Sequence, residues 1–93
     1  MIQKGVVFLL SDGSNETKEY EILCRDENFE HGEGGWYCAE TKTLSEKGID
    51  KLSPFDVWRV SDRYLEIQMK RGVIKIIDSK YQENENKNYS HGN

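Results

Sequence analysis

The run DENFEHGEGGWYC, residues 26–38, brings four acids, a histidine, three glycines, three aromatics and a cysteine together in one short segment. Carboxylate, imidazole and thiolate groups are the ligands that metal ions take in proteins, and they also act as acids, bases and nucleophiles in catalysis. Acids and aromatics together are equally typical of a surface that binds a partner. The spacing of these residues decides between the three interpretations.

A metal site in this run would combine His31 with Cys24 and Cys38, and with one or more acids. Structural zinc sites usually contain two closely spaced ligand pairs such as CxxC, and the sequence has no such pair. The calcium-binding loop requires glycine at its sixth position, whereas the loop that begins at Asp26 has His31 there. The acids that would complete either site are Asp26, Glu30 and Glu33. The spacing favours a solvated acidic loop, and we expect no metal or other cofactor.

Cys24 and Cys38 are equally distant from His31 along the chain, so a hairpin centred on His31 would place them opposite each other. Opposed cysteines on antiparallel strands approach bridging distance. The longest apolar run, Val6–Leu10, is too short for a signal peptide or a membrane span, so we expect a cytosolic protein with both thiols reduced. The surrounding acids disfavour a thiolate, and we expect no catalytic residue. A metal- or thiol-dependent enzyme is the least favoured function.

Nucleic-acid binding is an alternative that the net charge of −4 disfavours, because an acidic chain repels phosphate. The charge is uneven: residues 1–56 contain six Lys or Arg against twelve Asp or Glu, whereas residues 57–93 contain seven against five. A local basic face would consist of Arg59, Arg63, Lys70, Arg71 and Lys75. The aromatics that would stack on the bases of a single strand are Trp36, Tyr37, Trp58 and Tyr64. Single-stranded nucleic acid therefore stays an alternative partner.

Protein binding is the function that the run favours. Trp36 and Tyr37 are adjacent, so in a strand they point to opposite faces, and at least one of them should be partly exposed. The preceding loop contributes four acids and no Lys or Arg. Aromatic anchors surrounded by charge are typical of binding hot spots, and an acidic surface favours a partner with a basic one. The predicted partner-binding residues are Asp26, Glu27, Glu30, Glu33, Trp36 and Tyr37.

The elements that must position these residues are predicted to be strands, because apolar and polar residues alternate along most of the chain. Six short strands are predicted, at residues 2–10, 17–25, 35–43, 57–60, 63–69 and 73–78. An irregular crossover at residues 44–56, with one short helical turn, precedes the fourth strand. A small antiparallel β-barrel of SH3-like or related type is the expected all-β architecture, because closure leaves no exposed edge. A two-layer sandwich, or an α+β fold with a helix at 44–56, is the alternative.

Three local signals refine this arrangement. Ser45-Glu46-Lys47 is typical of a helical turn that Gly48 ends, and Ser53-Pro54-Phe55-Asp56 has the form of a capped helix start. Residues 54–69 also fit a continuous helix, but their β-branched residues, and an aspartate on the apolar stripe, favour strands instead. Gly72 is suited to the turn into the last strand.

Residues 1–78 are predicted to form one β domain and residues 79–93 a disordered tail, because that segment contains no aliphatic side chain. So small a domain leaves little room for the concave pocket that an enzyme needs. We therefore expect a small acidic non-enzymatic protein that binds another protein, as an inhibitor, immunity protein or adaptor does. The abundance of Lys, Asn, Glu and Ile suits an AT-rich bacterial or phage genome.

Overall fold

The computed structural model describes residues 2–11, 13, 16–30 and 33–79. Over these ranges the elements are β1 (Val6–Leu10), β2 (Lys18–Glu30), β3 (Glu33–Glu40), α1 (Thr41–Lys47), β4 (Trp58–Ser61), α2 (Asp62–Lys70) and β5 (Ile74–Ser79). Two single turns of 3-10 helix, Ile49–Lys51 and Pro54–Asp56, lie between α1 and β4. Of the predicted tail, Ser79 ends β5 and residues 80–93 lie outside the described residues.

The strands form one antiparallel sheet in the order β4-β3-β2-β1-β5 over the described ranges. The structure is mostly β, with an antiparallel sheet as predicted, and it also contains two short helices. The barrel is not formed, because the sheet is open and β4 and β5 are its two edges. The physical reason is that the segment predicted as the fifth strand is helical. As α2 it packs on one face of the sheet and buries apolar surface that barrel closure would otherwise bury.

The prediction of a strand at 63–69 was wrong, because these residues belong to α2. The Ser61 hydroxyl caps the helix by accepting a hydrogen bond from the Tyr64 backbone N–H at 2.9 Å. Asp62 lies in the first turn and Lys70 in the last, where each charge is favourable to the helix dipole. The β-branched residues that weighed against a helix fall mainly before it, at positions 57 and 60, and Val60 lies within β4.

The core lies between α2 and the sheet face that α2 covers, which we call the α2 face. Its buried residues are Val6, Phe8, Ile22, Cys38, Val60, Leu65 and Ile74. Starting from Phe8 in this cluster, four aromatic rings contact one another in succession. The ring centroids are 5.5 Å apart for Phe8 and Tyr20, 5.1 Å for Tyr20 and Trp58, and 5.6 Å for Trp58 and Tyr64. These contacts join β1, β2, β4 and α2.

The turn signals read from the sequence are found in the structure. Gly48 follows α1 with a positive φ of 80°, and Gly72 follows α2 with a φ of 77°. α1 begins at Thr41, inside the predicted third strand, so that strand ends at Glu40. The predicted capped start at Ser53 is present, but the helix it begins is a single 3-10 turn. Among the described residues, no helix is both long and apolar enough to cross a membrane.

Candidate protein-binding surface

The predicted contact residues with described backbone lie at the end of the β2–β3 hairpin, and we call residues 26–30 and 33–37 the hairpin tip. Asp26, paired with Gly35 across the hairpin, is only 5% exposed. Its carboxylate accepts hydrogen bonds from the Arg59 Nε at 2.8 Å and from the Asn28 backbone N–H at 3.2 Å. Asp26 therefore holds the tip in shape and does not face solvent.

Arg59, on the edge strand β4, ties one side of the hairpin tip to the sheet. Its guanidinium lies 5.3 Å from the ring centroid of Phe29 and 5.6 Å from that of Tyr37. Its Nη2 also donates to the backbone carbonyls of Asn28 and Phe29, each at 3.4 Å. A planar guanidinium can stack on rings and bond a carboxylate at the same time. One side chain thus fixes both the backbone and the aromatics of the tip.

Arg25 ties the other side of the tip to α2. Its Nη1 and Nη2 donate to the two carboxylate oxygens of Asp62 at 2.6 and 2.8 Å, and its guanidinium lies 4.8 Å from the Trp36 ring. The hydrogen bond from Arg25 is the main reason that the pKa of Asp62 lies below its ordinary value, and a hydrogen bond from Trp36 adds to this. The same pair raises the pKa of Arg25. A side chain at Gly34 would overlap the Arg25 guanidinium, so glycine makes this approach feasible.

The structure places the predicted partner-binding residues in different environments. Trp36 and Tyr37 lie on opposite faces of β3, each half-buried against an arginine. Glu27 is exposed, with 78% of its side chain accessible, and lies 3.7 Å from Arg25. Glu33 is also exposed. The side chain of Glu30 and residue His31 lie outside the described residues, so the outer surface of the tip is represented by Glu27 and Glu33.

Phe55 is the candidate binding residue that sequence reasoning missed. It is 99% exposed, in the 3-10 turn Pro54–Asp56, which we call the Phe55 turn. The Asp56 carboxylate holds this turn: it accepts hydrogen bonds from the Ser53 backbone N–H and from Lys47 Nζ, both at 2.9 Å. These bonds, led by that from Lys47, lower the pKa of Asp56 to about 2. The capping signal was visible in the sequence, but it gave no information on the exposure of the ring.

The Phe55 turn and the hairpin tip lie at opposite ends of the β3–β4 pair. Trp58, close after the turn, pairs with Cys38, whereas Ser61 at the other end of β4 pairs with Gly35 in the tip. Phe55 forms one wall of a groove of about 350 Å³, whose other walls include Tyr20 and Trp58. Within the described part of the chain, the Phe55 turn and the hairpin tip are therefore separate candidate contact surfaces.

The two cysteines do not face each other, so the predicted pairing was wrong. The β2–β3 register shifts between Ile22 and Cys24, so that Cys38 pairs with Ile22 while Cys24 pairs with Tyr37. The additional residue, Leu23, produces a bulge that moves the thiols to opposite faces of the sheet. Both thiols are free; Cys24 is exposed and Cys38 is buried. Burial raises the pKa of Cys38 to about 12, so it stays protonated at neutral pH.

The residues considered for metal and nucleic-acid binding are spread over the described part of the structure. Over the described ranges, no group of three or more histidines, cysteines or acids is close enough to hold a metal ion. The predicted basic residues do not share one surface. Arg63 lies on α2 and Arg71 caps its end, whereas Lys75 pairs with Leu9 on the opposite face of the sheet. Lys70 forms an ion pair with Glu66 at 3.3 Å.

Relatives with established functions would be a second source of information about these surfaces. Comparison of the chain with protein-family models, with curated proteins and with solved structures finds no match in any of the three.

Proposed function

We propose that the protein is a small non-enzymatic binding protein that acts by contacting another protein. The observation that carries this proposal is the full exposure of Phe55 on a turn held by hydrogen bonds to Asp56. Burying a phenylalanine side chain contributes about 1.5–3 kcal/mol. Because hydrogen bonds already fix the turn, the entropy cost of ordering the turn when a partner binds is small, and most of this free energy remains for binding. Phe55 thus has the properties of a binding anchor.

The hairpin tip supports the same function through its charge. Arg59 and Arg25 hold the tip from two sides, and Glu27 and Glu33 are exposed on it. An acidic surface of fixed shape accelerates association with a basic partner and disfavours an acidic one. We propose that the tip orients the partner while Phe55 retains it. Inhibitors, immunity proteins and adaptors are the functional classes that act in this way.

Nucleic acid is a less favoured partner on the same geometry. Trp58 and Tyr64 pack against the core and against each other, so their ring faces are not arranged for stacking on bases. The basic residues are divided between α2 and the opposite face of the sheet. These contacts support a protein partner over a single strand.

The proposal is tested by affinity capture from cells of the source organism, using three forms of the protein. These are the wild type, Phe55→Ala, and Ile67→Ala as a matched control, because Ile67 is an exposed apolar residue on α2. We expect a protein that the wild type and Ile67→Ala retain and that Phe55→Ala loses. Its binding to the purified wild type is then measured directly. Identical captured sets for all three forms, or recovery of nucleic acid alone, would contradict the proposal.

A further inference from the structure

The groove beside the Phe55 turn has aromatic walls, and we call it the aromatic groove. Its volume is about 350 Å³, and the rings of Tyr20, Phe55 and Trp58 line it. The centroids of the Tyr20 and Trp58 rings are 5.1 Å apart and the rings are tilted by 49°, so the two rings meet at an angle. Phe55 is 99% exposed, so its ring faces are open to an occupant.

The strand register explains why these rings share one site. Tyr20 pairs with Glu40 across β2 and β3, and Trp58 pairs with Cys38 across β3 and β4. Directly paired residues project from the same face of a sheet, and Cys38 and Glu40 are two positions apart on β3. Tyr20, Glu40 and Trp58 therefore project from one face. The Phe55 turn, which precedes β4, places the third ring beside them.

The charged residues that line the aromatic groove are two acids, Glu40 and Asp56, and no described Lys or Arg lines it. Each acid has a cationic partner outside the groove: Lys18 lies 3.7 Å from Glu40, and Lys47 lies 2.9 Å from Asp56. Burial, and after it the charge of Glu40, raises the pKa of Tyr20, and the opposing effect of Lys18 is smaller. A cation in the groove therefore meets rings and acids, and no basic side chain.

We infer that the aromatic groove binds a trimethylated lysine side chain of the protein partner. Aromatic ring faces attract a cation, and quaternary ammonium groups are recognised by several rings at once. Because Glu40 and Asp56 are already paired, the site must bind through its ring faces and not through an unoccupied carboxylate. A trimethylammonium group has no N–H to donate, whereas unmodified lysine has three donors that would lose water. The methylated side chain therefore suits this groove better.

The inference rests on the proposed function, because the lysine belongs to the protein that Phe55 is proposed to retain. An ammonium group held against the rings of Tyr20 and Trp58 would cover the exposed ring of Phe55, which lines the same groove. This contact is one way in which Phe55 would act as an anchor. Binding of the trimethylammonium group to the groove can, however, be measured without the partner.

The test uses three probes that differ only in the end group of the side chain. They are Nα-acetyl-trimethyllysine amide, the amide of unmodified lysine, and the uncharged analogue in which carbon replaces the quaternary nitrogen. Amide and aromatic NMR signals of the full chain are followed during titration with each probe. We expect saturable shifts at Tyr20, Phe55 and Trp58 with the trimethylated probe. The uncharged analogue should bind at least about five-fold more weakly, because it is not attracted to the ring faces as a cation is. Unmodified lysine should also bind more weakly, because its donors lose water.

Two substitutions at Phe55 form a matched pair, because this exposed residue can be changed without disturbing the core. Phe55→Leu removes the ring but keeps an apolar side chain. It should reduce the preference for the trimethylated probe over its uncharged analogue by about three-fold. Phe55→Trp keeps a ring and should keep the preference. Ile67→Ala, an exposed apolar change on α2, should bind all three probes as the wild type does.

Equal binding of the trimethylated probe and either of the other two by the wild type, or shifts that map outside the groove, would overturn the inference. Choline that binds more tightly than the trimethylated probe would assign the groove to a small molecule and would overturn it as well. Selective binding of the trimethylated probe without a captured partner leaves the groove site standing and removes the proposed function. A captured partner with no selectivity among the probes keeps the proposed function and removes the groove site.

Discussion

The Arg59 guanidinium and the Asp26 carboxylate are 2.7 Å apart, although their positions in the sequence differ by 33. Asp26 is buried and Arg59 is half-exposed, so the pair joins the inside of the hairpin tip to the rim of the sheet. Asp26, which the sequence suggested as a contact residue, is thus a buried residue that supports the hairpin tip. The stability of the tip, and hence the shape offered to a partner, depends on this ion pair.

Replacing Asp26 by Asn should therefore destabilise the fold. We expect a loss of about 1–2 kcal/mol in the free energy of unfolding, because a charge-assisted hydrogen bond is weakened at a buried site while Arg59 keeps access to water. Urea denaturation of the wild type and variant measures this loss. Glu33→Gln, an exposed change in the same tip, is the control and should have no measurable effect. Equal midpoints for Asp26→Asn and the control would contradict the structural role of Asp26.

The kinetics of partner binding should separate the roles of the two surfaces. The double change Glu27→Lys/Glu33→Lys should slow association and reduce its salt dependence, because it reverses the exposed charge of the tip. Phe55→Ala should instead accelerate dissociation by roughly thirty-fold, which corresponds to about 2 kcal/mol for an anchor residue. Glu66→Lys on α2 is the control for charge reversal. Surface plasmon resonance with the captured partner distinguishes these effects, and an unchanged dissociation rate for Phe55→Ala would remove it as the anchor.

The stability of the Phe55 turn should depend on pH through Asp56. The pKa of Asp56 is about 2 in the folded protein and 3.8 ordinarily, so folding favours its ionised form. The stability that this form contributes is present above about pH 4 and is lost as the pH falls toward 2. NMR titration of the Asp56 carboxyl should give a midpoint well below the ordinary value of 3.8. Asp56→Asn should remove this contribution, and a midpoint near 4 for Asp56 would contradict the hydrogen bonds from Lys47 and Ser53.

The two thiols should differ in reactivity. Cys24 is exposed, whereas Cys38 is buried with a pKa raised to about 12, so only Cys24 should react quickly with a thiol reagent at neutral pH. Ellman's reagent should modify one thiol per native chain and two after unfolding. Cys24→Ser should eliminate the fast reaction, and Cys38→Ser should preserve it. Fast modification of both thiols in the native wild type would show that Cys38 is accessible.

The helical assignment of residues 62–70 leads to a further prediction. Ser61→Ala removes the cap of α2 and should cost about 1 kcal/mol of stability. Leu65→Ala opens a cavity in the core, where Leu65 is 2% exposed, and should cost about 2–5 kcal/mol. Phe55→Ala should leave stability within about 0.5 kcal/mol of the wild type, as exposed substitutions usually do. Thermal or urea denaturation of the three variants checks this order, and a neutral Leu65→Ala would contradict the packing of α2 on the sheet.

The features that the sequence predicted correctly are those coded by a few neighbouring residues. Alternation placed strands near 6–10, 18–25 and 35–40, and the turn glycines Gly48 and Gly72 and the Ser53 cap were identified from local chemistry. α2 was missed because the helix was assumed to include the β-branched residues at positions 57 and 60, which disfavour helix. The helix in fact begins only at Asp62. The Ser61 cap was the local signal that would have separated the strand from the helix.

The candidate surface was less predictable because it depends on contacts between distant residues. Nothing close to Asp26 in the sequence indicates that Arg59 pairs with it, nor that Arg25 pairs with Asp62. The bulge at Leu23 changes the register by one position, which moved the cysteines apart although their spacing was symmetric. The exposure of Phe55 depends on which side of the turn faces the sheet. Because phenylalanine is apolar, its residue type alone suggests that the ring is buried.

The order of strands in the sheet also determines when the fold can be completed during synthesis. Among the described strands, β5 pairs with β1 alone, so the second edge of β1 stays uncovered until β5 has been synthesised. Until residue 79 has left the ribosome, the hairpin of β2 and β3 can form, but one side of Val6–Leu10 stays open to other chains. Pairing of strands so far apart in sequence slows folding. A nascent chain of this protein is therefore most vulnerable to aggregation just before synthesis passes β5.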